Sequence, residues 1–152
     1  MPAEVAQSPR EEPILQFSVF ADNKIGRLNE LVHRLQQRGL HILALSSVDA
    51  TECSVVRFVP NYPDETRNLL GEHGYPFSLS KVLAVELQTE AQLPQLTSAL
   101  VEAEVNIHYL YPFLLRPRGK VAFVLFLEDL DFGRKLLSEH GFPCLTRRDL
   151  AR

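Results

Sequence analysis

The sequence predicts an α+β chain made of two tandem copies of one small unit, each an antiparallel sheet with helices on one face. Three observations predict it: an octapeptide that occurs twice, apolar runs that coincide at the same spacing, and strand-like periodicity alternating with helix-like periodicity inside each copy. Leu69 Leu70 Gly71 Glu72 His73 Gly74 Tyr75 Pro76 returns as Leu136 Leu137 Ser138 Glu139 His140 Gly141 Phe142 Pro143, a separation of 136 − 69 = 67. Six of the eight positions are identical, and Phe142 stands for Tyr75. The same offset lays 55–59 on 122–126 and 14–20 on 81–87. Between those strands the offset is 65, which carries Leu28, Leu31, Leu35, Leu40 and Ile42 onto Leu93, Leu96, Leu100, Val105 and Ile107. A two-residue deletion in the first loop and a two-residue insertion in the later hairpin would produce that change.

The elements follow in order. An apolar run over 14–20 is closed by Asp22, Asn23 and Gly26, the punctuation of a strand, a loop and a helix start. Leu28, Leu31, Val32 and Leu35 then recur at helical spacing, with Asn29, Glu30, Arg34, Gln36 and Gln37 on the other face, and Gly39 stops the helix. Strands over 40–48 and 54–59 flank the turn residues 49–52, and Pro60 and Pro63 end the second. A helix over 64–73 closes at Gly74, and 75–79 reads as a short last strand. The second copy runs as a strand over 82–87, a helix over 91–103, hairpin strands over 105–115 and 121–127, a helix over 131–140 and a strand near 142–145. Pro94 suits a first helical turn, where its missing N–H costs nothing. The order β-α-β-β-α-β with right-handed crossovers gives a four-stranded antiparallel sheet, the ferredoxin-like arrangement. The expected boundaries are a disordered tail over 1–13, a first domain over 14–80 and a second over 81–147. A unit of this size has only a few kcal/mol of net stability, so two copies are expected to lean on each other.

Composition narrows the function. In 152 residues, 45% hydrophobic and 23% charged is a globular balance. Sixteen Lys and Arg against nineteen Asp and Glu give a net charge of −3, which argues against nucleic acid as a partner. No apolar run of membrane-spanning length occurs, so no membrane partner is expected. Cys53 and Cys144 make no metal or redox spacing, which fits a cytoplasmic location. The five histidines do not invite a metal: His73 and His140 precede helix-ending glycines, where a partial positive charge favours the helix end, and His33 and His41 read as solvent-facing. No nucleophile motif occurs, so no catalytic residue, cofactor or metal is expected. Arg116, Arg118 and Lys120 read as a solvated turn first and as a binding patch for an acidic partner second.

The loop over 22–28 carries the functional hypothesis. At a helix start, backbone N–H groups without intrahelical partners converge on one spot, and a carboxylate or phosphate binds there. Gly26 lets a ligand approach the backbone, or merely eases a turn. Asn23 Lys24 Ile25 Gly26 Arg27 Leu28 is similar to the loop of the tandem ACT-domain proteins, in which an Asp or Asn and a Pro-Gly step precede a Leu. Val82 to Leu87 and Asn106 to Tyr111 look like that family's second-copy strands, and the resemblance covers about 15–145. It implies two ferredoxin-like βαββαβ (ACT) domains in tandem, allosteric regulation in amino-acid metabolism, and a free amino acid as ligand where the first loop meets a neighbouring domain. It also implies pairing into larger sheets, hence a homodimer. A further expectation is docking on an amino-acid biosynthetic enzyme, as the small subunit of acetohydroxyacid synthase does.

In such a site the ligand carboxylate takes the N–H groups of Ile25, Gly26 and Arg27, with Asn23 and Lys24 beside them. Asp22 and the side chains of Ser46, Ser47 or Asp49 are candidate acceptors for the ammonium. Leu28 reads as core first and pocket wall second. Tyr109 and Tyr111 sit on a strand apolar on both faces, read either as the middle of a joint sheet or as a pocket wall or dimer seam. Two departures from the family pattern stand out: Ile25 replaces the Pro, and the second copy, with Thr89 Glu90 Ala91 Gln92 Leu93, has a shorter loop without glycine. One ligand site per chain, in the first copy, is therefore expected.

Overall fold

The computed structural model describes residues 13–22, 26–49 and 52–150. They divide into two compact units, 15–80 and, with residues 13 and 14, 81–150. The first unit comprises β1 (Ile14–Asp22), α1 (Arg27–Gln37), β2 (Ile42–Asp49), β3 (Cys53–Pro60), α2 (Pro63–Glu72) and the start of β4 (Phe77–Leu87), with strands in the order β2-β3-β1-β4. Antiparallel register sets Phe17 beside Phe58 and Val19 beside Val56. Because side chains alternate along a strand, these four share one face, where Leu31 and Leu35 of α1 and Leu69 and Leu70 of α2 cover them. The Phe17 and Phe58 rings stack 5.6 Å apart. Each such side chain, fully withdrawn from water, contributes about 1.5–3 kcal/mol.

The second unit takes up the rest of β4 and adds a 3-10 turn over Glu90–Gln92, α3 (Leu93–Glu102), β5 (Ile107–Pro112), β6 (Val121–Leu127), α4 (Leu130–Glu139) and α5 (Arg147–Leu150). Its strands lie in the order β4-β6-β5, and Leu83, Val85, Leu87 and Leu125 face Leu96, Leu100 and Leu137. The expected strand near 142–145 is reduced to a bridge between Val85 and Cys144, with Glu86 N–H donating to Pro143 O at 3.1 Å and Leu145 N–H to Ala84 O at 2.7 Å.

Several expectations change. The strands predicted over 75–79 and 82–87 are one strand, β4. The hairpin strand over 105–115 shortens to β5, and α5 was not foreseen. The offset of 67 fails for the first strand: Leu83 pairs with Leu125 as Phe17 pairs with Phe58, so the true offset there is 83 − 17 = 66. A one-residue slip would have turned every core side chain of the strand to the other face. The first loop of the second copy is thus one residue shorter than that of the first. β5 is an edge strand rather than the middle of a sheet, yet both faces are covered, since Tyr111 is buried on one side and Leu110 packs on the core from the other.

The predicted solvated turn is corrected as well. Glu86, only 2% exposed, receives Arg118 at 3.0 Å and Lys120 at 3.4 Å, and Arg118 also lies 3.9 Å from Asp149 of α5. The hairpin cations serve a carboxylate inside the unit. His73 and His140 cap the C-termini of α2 and α4 as expected.

Candidate functional site

Gly26 stands at the N-cap of α1 in the left-handed region, at φ 90° and ψ −4°, and brings no capping side chain of its own. Few residues with a Cβ adopt that conformation without strain, so the backbone itself requires the glycine. The start of α1 opens on a hollow of about 460 Å³ on the helix-covered side of the first sheet. Its floor is built from alternate positions on three strands: Ala21 of β1, Ser54 and Val56 of β3, and Ser47 and Asp49 of β2. Register explains the grouping, since Ser54 lies between Ala21 and Asp49, and Val56 beside Ser47. Where the core proper has Phe17 and Phe58, this end has small side chains, which leaves space. Asp22, Gly26, Arg27, Leu28 and Asn29 form the wall.

Of the predicted site residues, Asp22, Gly26, Arg27 and Leu28 come together here. Asn23, Lys24 and Ile25 lie outside the described residues. Ser46 pairs with Arg57 across β2 and β3 and belongs to the opposite face; its neighbour Ser47 lines the hollow instead. Leu28 is 40% exposed, so it is wall rather than core. Tyr109 and Tyr111 stand on β5 of the second unit, stacked 6.2 Å apart, with Tyr109 edge-on to Phe126 at 5.1 Å. Ala21, Asn29, Ser54 and Val56 were missed, because only strand register reveals that they share a face with Ser47 and Asp49.

The first turns of α1 are fixed by a polar network. Glu30 accepts from Tyr75 Oη at 2.9 Å and from Arg34 Nε at 3.1 Å, and Arg27 Nη1 lies 3.5 Å from its other oxygen. The Arg27 guanidinium sits over the Tyr75 ring, 5.5 Å from its centre, so its charge is directed at the ring and Glu30. The hydrogen bonds from Tyr75 and then Arg34 hold the Glu30 carboxyl below its ordinary 4.5, while burial foremost pushes the Tyr75 phenol up. Chemically, the hollow combines the N–H donors of a helix start with carboxylate and hydroxyl acceptors. Among the described residues no group of three or more His, Cys, Asp or Glu could hold a metal ion, and no helix is long and apolar enough to cross a membrane.

The family model of the ACT domain pair matches residues 13–150. The chain belongs to that family. ACT domains are regulatory, ligand-binding domains, which gives the chain its coarse functional class. Among solved structures, protein BT0572 from Bacteroides thetaiotaomicron superposes with a TM-score of 0.82 at 23% identity, over 92% of this ACT pair and 96% of that chain. The regulatory subunit of aspartate kinase from Thermus thermophilus gives 0.59 at 12% identity, over 86% and 94% respectively, and that from Thermus flavus 0.55 at 13%, over 84% and 92%. These likenesses concern the fold. Among curated proteins none matches the chain.

Proposed function

We propose that this ACT pair is a non-catalytic regulatory protein that binds a free amino acid at the loop between β1 and α1. The observation that carries the reading is the glycine-headed start of α1 opening on a hollow lined by Asp22, Ser47, Asp49 and Ser54. The ligand carboxylate is received by N–H groups at the start of α1, and the ammonium by Asp22. Occupancy then biases whichever arrangement of the protein or its partners holds this loop in its binding conformation.

A second reading, docking on a biosynthetic enzyme as its regulatory subunit or pairing as a homodimer, is favoured by a separate observation. Phe20, Val55 and Val48 lie in a row across β1, β3 and β2 on the face away from the helices, with Phe20 39% and Val48 43% exposed. The resemblance to a regulatory subunit of aspartate kinase over 94% of that subunit's chain points the same way. The two readings are compatible, because a docked subunit can bind a ligand.

The test is a thermal-shift screen of the purified protein against the twenty amino acids. A ligand at about a hundred times its Kd adds roughly 2.7 kcal/mol, and at this length each kcal/mol moves the midpoint by about 2–4 °C. A rise of about 5–10 °C for one or a few related amino acids is expected. A flat response across all twenty overturns amino-acid binding and leaves docking.

A further inference from the structure

We infer that the hollow selects an amino acid with a cationic side chain, lysine-like rather than neutral or acidic; this rests on the amino-acid reading of the same loop. Two carboxylates line the hollow, Asp22 at the end of β1 and Asp49 at the end of β2. They stand at opposite sides of its floor. Ala21, Ser54 and Asp49 are consecutive neighbours across β1, β3 and β2, so Asp49 lies two strand spacings, about 10 Å, from β1.

A ligand whose carboxylate faces the start of α1 has its ammonium near Asp22, and its side chain then crosses the small floor residues toward Asp49. Asp49 is exposed and has no ion-pair partner among the described residues. Arg27, the basic side chain in the described lining, has its guanidinium over Tyr75 and against Glu30. A neutral amino acid brings no charge to Asp49, and an acidic one is repelled by it. A lysine-like side chain lays its methylenes over Ala21 and Val56 and delivers its ammonium to Asp49 and the Ser54 hydroxyl.

The experiment compares L-lysine, its uncharged analogue L-norleucine and L-glutamate by calorimetric titration, on the full chain and on Asp49→Asn. Because Asp49 is exposed, the expected preference of the unmodified protein for lysine over norleucine is about five- to tenfold at low salt, with glutamate weakest. It should shrink at 0.5 M salt as screening shortens. Asp49→Asn should bring lysine and norleucine within about twofold while the melting temperature stays unchanged. Equal or tighter binding of norleucine or glutamate overturns the cation preference and leaves the amino-acid site standing, whereas a lysine preference that survives in Asp49→Asn overturns the assignment of that preference to Asp49. Absence of binding by all twenty amino acids overturns both.

Discussion

The starts of α1 and α3 are two copies of one design with opposite outcomes. At α1, Gly26 holds the N-cap position and the floor is Ala21, Ser47, Ser54 and Val56. At α3, the equivalents fixed by strand register are Leu87, Pro112, Val121 and Phe123, and Leu87 is 1% exposed. Each small or polar side chain has become a larger apolar one. The backbone donor is also consumed internally: Gln88 N–H donates to Gln92 Oε1 at 2.7 Å, at the head of the 3-10 turn. The anchoring networks diverge in the same way, since Glu30, Arg34 and Tyr75 correspond to Gln95, Ala99 and Phe142. One fold is filled at this end in the second unit and hollowed in the first.

The largest expected effect comes from filling the first hollow in the manner of the second. Ala21→Leu with Ser54→Val should weaken any ligand by more than tenfold, since the displaced volume is the site itself, whereas the same ligand should bind normally to a Leu87→Ala protein. Gly26→Val should also abolish the ligand response. Beyond its own chain neighbours nothing lies within 4 Å of where its Cβ would stand, so the cost comes from the φ of 90°, about 1–2 kcal/mol, or a few degrees in Tm.

Breaking the second unit should do the reverse. Glu86→Gln leaves Arg118 and Lys120, both half-exposed, to water, and should cost about 1–3 kcal/mol with the ligand response intact. The smallest effect is acid sensitivity. The Glu30 carboxyl is held below its ordinary 4.5, so its contribution is present above that value and is lost as pH falls through the lower, folded-state value. Thermal melts of Glu30→Gln below pH 4.5 should therefore decline less steeply than those of the unmodified protein.

Much of this contrast was legible in the sequence. The repeated octapeptide and the spacing of Leu28, Leu31 and Leu35 carry the duplication and the element order, because both are local signals. The loss of glycine at Ala91 marks the second loop. The side of the sheet was not legible. A strand with period two shows which residues alternate but not which neighbour they meet, so Ser46 and Ser47 were indistinguishable, and Ser54 and Val56 gained meaning only through pairing with Asp49 and Ser47. For the same reason the sequence suggests an offset of 67 where the strand has 66: apolar side chains occupy both faces of β4, and hydrophobicity alone does not fix register there.

The most direct test is amide chemical-shift mapping of the 15N-labelled protein with the amino acid that gives the largest thermal shift. The strongest perturbations are expected at Gly26, Arg27, Leu28 and Asn29, with Ser47, Asp49 and Ser54 next, and none at 88–93. Perturbations centred on 88–93, or equal at both loops, would contradict a ligand site at the first loop.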